Sequence, residues 1–469
     1  MKISKFAQWV SLVLCSLIAA MGLSSCALQR SKHRGQVMEE FVNVRNKFQM
    51  DQSNDRIRWM YSNLLFQLGD FKQARTVLQP LFNKKDAETS IQFRMAELLY
   101  LVGEYQNIEA ILRHILEQNP KNQQIRVQAQ LYLCFLYYQT NQFQKSRDLF
   151  KNMSDKIELP MLDLMQSFGE KSTYAIEWLT LDRQTEIPFI AKEPLPLLSI
   201  TTQGRKINVF IDTGGDMFFL DPQLADELGI KTVAQAVESF AAGKKATIGF
   251  ARADELVMGN VILKNVPINV LPIRRFSKMY RDGKYQVGGI IGTNVLRQFL
   301  STVDYPGNKL ILRENTPDRT KAFYQQLNKQ KTTIVPFTLW ATHFMLAQGK
   351  INHQGPMTFF VDSGLGSPKC SFSAAKQTLK YLGITELKKL DDKDQLGGGE
   401  GSWESYEFFI ETLSLDSLQQ KKTHGDYGAV GPDMYWENGF IMDGIISHNF
   451  LKHYAWTIDF TNRKMIFEK

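Results

Sequence analysis

Two short segments of the chain share one design. Asn208-Val-Phe-Ile-Asp212-Thr213-Gly214 and Thr358-Phe-Phe-Val-Asp362-Ser363-Gly364 each run through three apolar residues into an acid, a hydroxyl residue and a glycine. That order sets a carboxylate at the tip of a strand, over a tight turn. Two carboxylates brought to about 3 Å cannot both ionise cheaply, so they share one proton and titrate as a pair. Such a pair can act as base and acid on one water molecule, and it needs neither a metal nor an organic cofactor. A single Asp-Thr-Gly is a weak signal, because a lone Asp more often shapes or caps a turn.

The surroundings of the two triplets repeat as well. The acids lie 150 residues apart, and Leu228-Gly229-Ile230 answers Leu382-Gly383-Ile384 at 154. At an offset of 155, Gly289-Ile290-Ile291-Gly292-Thr-Asn294-Val-Leu296 answers Gly444-Ile445-Ile446-Ser447-His-Asn449-Phe-Leu451, and Val303-Asp304-Tyr305 answers Ile458-Asp459-Phe460. Offsets this constant imply duplication with small loop insertions. Asp304 and Asp459 each precede a turn between apolar runs and read as hairpin residues.

With these motifs the region resembles tandem retropepsin-like aspartic peptidase domains, over roughly 190 to 315 and 330 to 469. The resemblance implies an all-β bilobal fold, with both acids supplied by one chain to a monomeric active site. It implies that Asp212 and Asp362 are catalytic and that the substrate is a peptide or protein. It also gives Thr213 and Ser363 hydroxyls that bond across the interface, with Gly214 and Gly364 letting the backbone turn. Two departures stand out: Ser447 where apolar-apolar-Gly is expected, predicting looser packing of that loop, and Gly215 where Ala or Ser is common. A cover over the cleft is expected at Glu238 to Gly249, around Gly243, and at Leu396 to Trp403.

Other chemistries find no support. There is no Gly-x-Ser-x-Gly elbow, no His-Glu-x-x-His and no phosphate-binding loop. His448 and His453 read as satisfied structural histidines, and Cys134 as core. The formal net charge is +8, of which Lys2 and Lys5 supply two. Its densest piece, Arg274, Arg275, Lys278, Arg281 and Lys284, reads as a solvated loop, and nothing around it suggests a nucleic-acid partner. The competing function is a non-catalytic peptide-binding or scaffold lipoprotein.

Upstream, the periodicity is helical from Asp55 to about Phe150. Leu68-Gly69-Asp70-Phe71, Val102-Gly103-Glu104-Tyr105 and Thr140-Asn141-Gln142-Phe143 recur at offsets of 34 and 38, a tetratricopeptide-like spacing. Gly or Asn permits a left-handed turn between two helices, and the aromatic that follows packs back between them. Such all-α helical hairpins can carry a protein partner.

The first residues resemble a bacterial lipoprotein signal: Lys2 and Lys5, an apolar run, then Leu23-Ser24-Ser25-Cys26. The resemblance implies a lipidated Cys26 and attachment to the cell envelope; Ala27 in the next position implies the outer membrane, facing the periplasm. The expected organisation is multidomain: signal 1–25, tether 26–54, helical repeats 55–155, connector 156–185, first half 186–315, linker 316–330 and second half 331–469.

Overall fold

The computed structural model describes residues 34–469 apart from 119–121, 152–159, 281–282, 367–368, 391–402, 432–433 and 437–438. The signal, Cys26 and most of the second expected cover lie outside the described residues. No described helix is long and apolar enough to cross a membrane.

Among the described residues eight helices come first: α1 (Arg34–Met50), α2 (Asp55–Gln67), α3 (Phe71–Phe82), α4 (Thr89–Val102), α5 (Ile108–Glu117), α6 (Gln123–Gln139), α7 (Phe143–Lys151) and α8 (Pro160–Ser167). Helices α2 to α7 form three hairpins. Their turns pass through Gly69 (φ +78°), Gly103 (φ +82°) and Asn141 (φ +55°), the residues the recurrence singles out. The aromatic after each turn closes on one five positions earlier: Phe66 with Phe71 at 5.3 Å, Tyr100 with Tyr105 at 5.4 Å and Tyr138 with Phe143 at 5.5 Å between ring centroids. Helix α1 occupies much of the expected tether, and α8 lies in the expected connector.

The rest is β-rich. The first half contains β1 (Ala175–Trp178), β2 (Gln184–Ala191), β3 (Leu197–Thr202), β4 (Arg205–Ile211), β5 (Phe218–Leu220), α9 (Pro222–Glu227), β6 (Thr232–Ser239), β7 (Lys245–Met258), β8 (Val261–Val270), β9 (Val287–Ile291), α10 (Thr293–Leu296), β10 (Phe299–Asp304) and β11 (Lys309–Glu314). Helix α11 (Pro317–Gln326) spans the link. The second half contains β12 (Thr332–Pro336), β13 (Thr338–Trp340), β14 (Phe344–Ile351), β15 (Gln354–Val361), β16 (Cys370–Ala374), α12 (Lys376–Leu382), β17 (Lys388–Lys389), β18 (Tyr406–Leu415), β19 (Leu418–Tyr427), β20 (Gly444–Ile446), α13 (His448–Leu451), β21 (Ala455–Asp459) and β22 (Lys464–Glu468).

The duplication is legible in the topology. The order β3-β4-β9-β5-β8-β7 in one half matches β14-β15-β20-β16-β19-β18 in the other. In each, the strand leading to the acid pairs in parallel with a later strand, β4 with β9 and β15 with β20. The halves join through one continuous sheet, β2-β11-β10-β21-β22-β12. Thr302 faces Thr457 across the β10–β21 seam, and their hydroxyls bond at 2.6 Å. These residues are 155 apart, the offset of the repeat, so the pseudo-two-fold axis passes between them.

Asp304 and Asp459 are turn residues as expected. Their carboxylates accept the backbone N–H groups of Gly307 (2.7 Å) and Asn462 (2.9 Å).

The helices dock on both halves and share a core with them, in which Phe440 packs edge-on against Phe66 and Phe71. Arg34 and Asp443 form an ion pair at 2.5 Å, both side chains buried. Asp443 also accepts from the Thr358 N–H and the Thr378 hydroxyl, so the charge is fully bonded.

Candidate active site

Strands β4 and β15 deliver Asp212 and Asp362 to the seam between the halves. Both strands are buried at their ends, since Val209, Phe210, Ile211, Phe359, Phe360 and Val361 face core on either side. The turn after each acid closes on its own carboxylate. Gly214 N–H donates to Asp212 Oδ1 at 2.8 Å, and Gly364 N–H donates to Asp362 Oδ1 at 2.7 Å.

The next residue locks the turns to each other. Thr213 Oγ1 accepts from Ser363 N–H at 2.9 Å and donates to the Val361 carbonyl at 3.0 Å. Reciprocally, Ser363 Oγ accepts from Thr213 N–H at 3.0 Å and donates to the Ile211 carbonyl at 3.3 Å. Both hydroxyl residues are fully buried, where each net hydrogen bond contributes about 1 kcal/mol and an orphaned partner costs more.

The glycines have a different role from the one expected. Neither Gly214 nor Gly364 has positive φ. Space is what they supply: a Cβ on Gly214 would lie 2.5 Å from Asp362 Oδ2, and one on Gly364 would lie 2.1 Å from Asp212 Oδ1. Each turn therefore presses on the opposite acid. Gly215 is also filled, by the Phe219 ring, which a Cβ would meet at 2.6 Å.

The environment raises both acids. Each retains some exposed surface but is surrounded by protein, and lost hydration is the main cause of the rise. Asp362 is held well above the carboxylate range by burial and then by the Asp212 charge; Asp212 is raised by burial and eased by its hydrogen bond with Asp362. A single shared proton satisfies the pair.

Ser447 does not loosen its loop. Its hydroxyl donates to the Cys370 carbonyl at 2.6 Å, whereas a Cβ on the corresponding Gly292 would lie 2.0 Å from the Met217 carbonyl oxygen. His448 is buried but not satisfied: its ring meets Tyr305 edge-on at 5.2 Å and its two nitrogens have no partner among the described residues. Burial pushes it down to about 3. The basic segment is anchored at its start, where Arg274 meets Asp221, Glu227 and Gln223.

The segment expected as the first cover lies in a hairpin of β6 and β7 with its tip at Ala241–Gly243. Ala242 N–H donates to the Ala429 carbonyl at 2.6 Å, so the tip reaches the second half. Among the described residues no cluster of three or more His, Cys, Asp or Glu side chains could hold a metal.

The sequence reading missed His343. Its Nδ1 lies 3.0 Å from the Thr342 hydroxyl, and burial pushes it down to about 3 although the nearby Gly214 backbone, beside the dyad, favours its charged form. The helices fix its position: Tyr100 donates to the Ala341 carbonyl, and Gln139 Nε2 donates to those of Ala341 (3.2 Å) and Thr342 (2.6 Å). A lone histidine carries no period or motif that could have flagged it.

Residues 198–295 match the family model described as aspartyl protease, a stretch that contains Asp212 and the β9 segment. A solved structure titled as a retropepsin-like aspartic protease from Rickettsia conorii is 17% identical, with a TM-score of 0.21, over 31% of this chain and 96% of that one. No curated protein matches. The chain thus carries an aspartic protease-like region within its β-rich part.

Proposed function

We propose that the protein is an aspartic endopeptidase working through an intramolecular dyad of Asp212 and Asp362. The observation that carries this is the reciprocal bonding of Thr213 and Ser363, which holds two acids from two halves against each other's glycine turns. A binding protein has no use for two carboxylates forced to share a proton. The ionised member takes a proton from a water that attacks the peptide carbonyl. The protonated member bonds the developing oxyanion, and proton transfer to the amine then releases it.

The β6–β7 hairpin is the cover over an extended substrate. The helix hairpins are read as tetratricopeptide-like, supported by their spacing and turn residues, and as able to take a protein partner. Lipid on Cys26 would tether the protein to the envelope. Labelling with a fatty-acid analogue, lost in Cys26→Ser, tests that separately.

The test of the dyad is cleavage of a peptide library by the form beginning at Ala27, beside Asp212→Asn and Asp362→Asn. Each variant is expected to lose about 10³-fold or more in rate with its fold intact. Equal cleavage by all three would sink the dyad, and peptide binding without cleavage would favour the scaffold reading.

A further inference from the structure

The halves are tied to each other by their shared sheet and by the bonds between Thr213 and Ser363. A further tie comes from outside both, at the end of helix α6. Consecutive helix residues point about 100° apart, and the last two of α6, Tyr138 and Gln139, use that angle to reach different halves. The Tyr138 hydroxyl accepts from Asn294 Nδ2 on α10 at 3.1 Å. Gln139 Nε2 donates to the carbonyls of Ala341 (3.2 Å) and Thr342 (2.6 Å), on the turn between β13 and β14. Both residues and all their partners are buried.

Each contact lies next to an aspartate turn or its strand. In the first half, Asn294 N–H donates to the Asp216 carbonyl at 2.7 Å, and Thr293 N–H to that of Gly215 at 2.9 Å. The Thr293 hydroxyl donates to the Thr213 carbonyl at 2.9 Å, so α10 grips the stretch that follows Asp212. In the second half, the turn held by Gln139 runs straight into Phe344, whose ring lies 4.7 Å from that of Phe360. Phe360 stands on β15, two residues before Asp362.

The helix end is itself fixed. Arg297 Nη2 donates to the Tyr138 carbonyl and to Asn141 Oδ1, at 3.4 Å each, a cation where the helix dipole favours one. Asn141 Nδ2 donates to Gln298 Oε1 at 3.0 Å, and Tyr100 of α4 donates to the Ala341 carbonyl beside Gln139. Asn449, which answers Asn294 at the 155-residue offset, donates to Lys369 in its own half instead, at 3.0 Å. The contact with α6 is thus no part of the duplicated design.

Resting on the peptidase reading, we infer that Tyr138 and Gln139 are positioning residues for the dyad, a clamp by which the helical region holds the two aspartate turns at the separation the reaction needs. Two carboxylates share a proton only while they stand close. Opening the clamp lets the turns drift apart, which weakens their coupling and brings down the higher of the two titrations of the pair. The alkaline limb of activity follows it, because the reaction uses the singly protonated pair.

The experiment compares the full chain with Gln139→Leu and Tyr138→Phe. Gln139→Leu is expected to lower kcat about tenfold and Tyr138→Phe about threefold, with KM changed by less than about twofold. In both, the alkaline limb of the pH profile should move down by roughly half a pH unit. Loss of folded protein lowers the rate at every pH and leaves that limb in place, so a slower variant with an unmoved limb overturns the positioning role. The double variant should lose little more than Gln139→Leu, because either cut opens the same clamp; losses that multiply would mean two separate contacts and no clamp. Infrared titration of the carboxyl groups, assigned with Asp212→Asn and Asp362→Asn, follows the pair without turnover. Wild-type rates and titrations in both single variants overturn the clamp and leave the peptidase standing. A lowered titration in a protein that cleaves nothing retains the clamp and overturns the peptidase. Neither cleavage nor a moved titration overturns both.

Discussion

Gly292 and Ser447 hold the same place in the two halves, 155 residues apart, and fill it differently. The first has the Met217 carbonyl where a Cβ would go; the second has room for a hydroxyl that bonds Cys370. Gly288 and Asp443 differ more. A Cβ on Gly288 would strike Leu224 at 2.5 Å, whereas Asp443 carries a whole carboxylate inward to Arg34 of α1. Asp216 against Gly366 is the third such contrast. By contrast, the residues on or near the pseudo-two-fold are alike: Thr213 and Ser363, Thr302 and Thr457, and the two acids. Symmetry is retained where the halves touch each other and has drifted where each meets the helices or the cleft.

Breaking the Arg34–Asp443 pair should have the largest effect on stability. Arg34→Met leaves a buried carboxylate without its cation and is expected to lower stability by about 3–5 kcal/mol in urea unfolding. Adding Asp443→Asn should recover part of that loss, because the amide still bonds Thr358 and Thr378. No recovery would mean that packing of α1, rather than the charge, joins it to the second half.

A direct exchange between the halves is the next comparison. Gly292→Ala forces a Cβ into backbone and should cost about 3 kcal/mol, with falling activity as the aspartate turn shifts. Ser447→Ala loses one buried hydrogen bond and should cost about 1 kcal/mol. Equal losses at the two sites would show that the halves pack alike there.

The smallest effect is in pH dependence. A carboxylate raised on folding binds its proton more tightly in the native state, so its contribution is present at low pH and lost as pH rises through the folded pKa. For Glu238 that window runs from about 4.5 to about 8, whereas for Asp426 in the second half it ends at about 6. Glu238→Gln should therefore flatten the decline between pH 6 and 8, and Asp426→Asn should flatten it only below about 6. Unfolding midpoints measured across pH 4 to 8 separate the two.

The acids, their strands and the hairpin turns at Gly69, Gly103 and Asn141 were legible because each is a local event, an apolar run or a left-handed residue, written twice or three times. Helix α1 was not: it reads as tether because only Arg34, Val37 and Val44 of its residues are buried. Its place is set by Asp443, which lies 409 residues away. The glycines after the acids were recognised by position but misread in purpose, since the atom each must avoid belongs to the other half. His343, in the second half, was invisible for the same reason, since the Gly214 turn beside it belongs to the first. Sequence alone determined that two acids sit on equivalent turns of a duplicated fold. Only the tertiary structure decided what stands around them, because pairing across a sheet and docking between domains bring together side chains that no spacing along the chain relates.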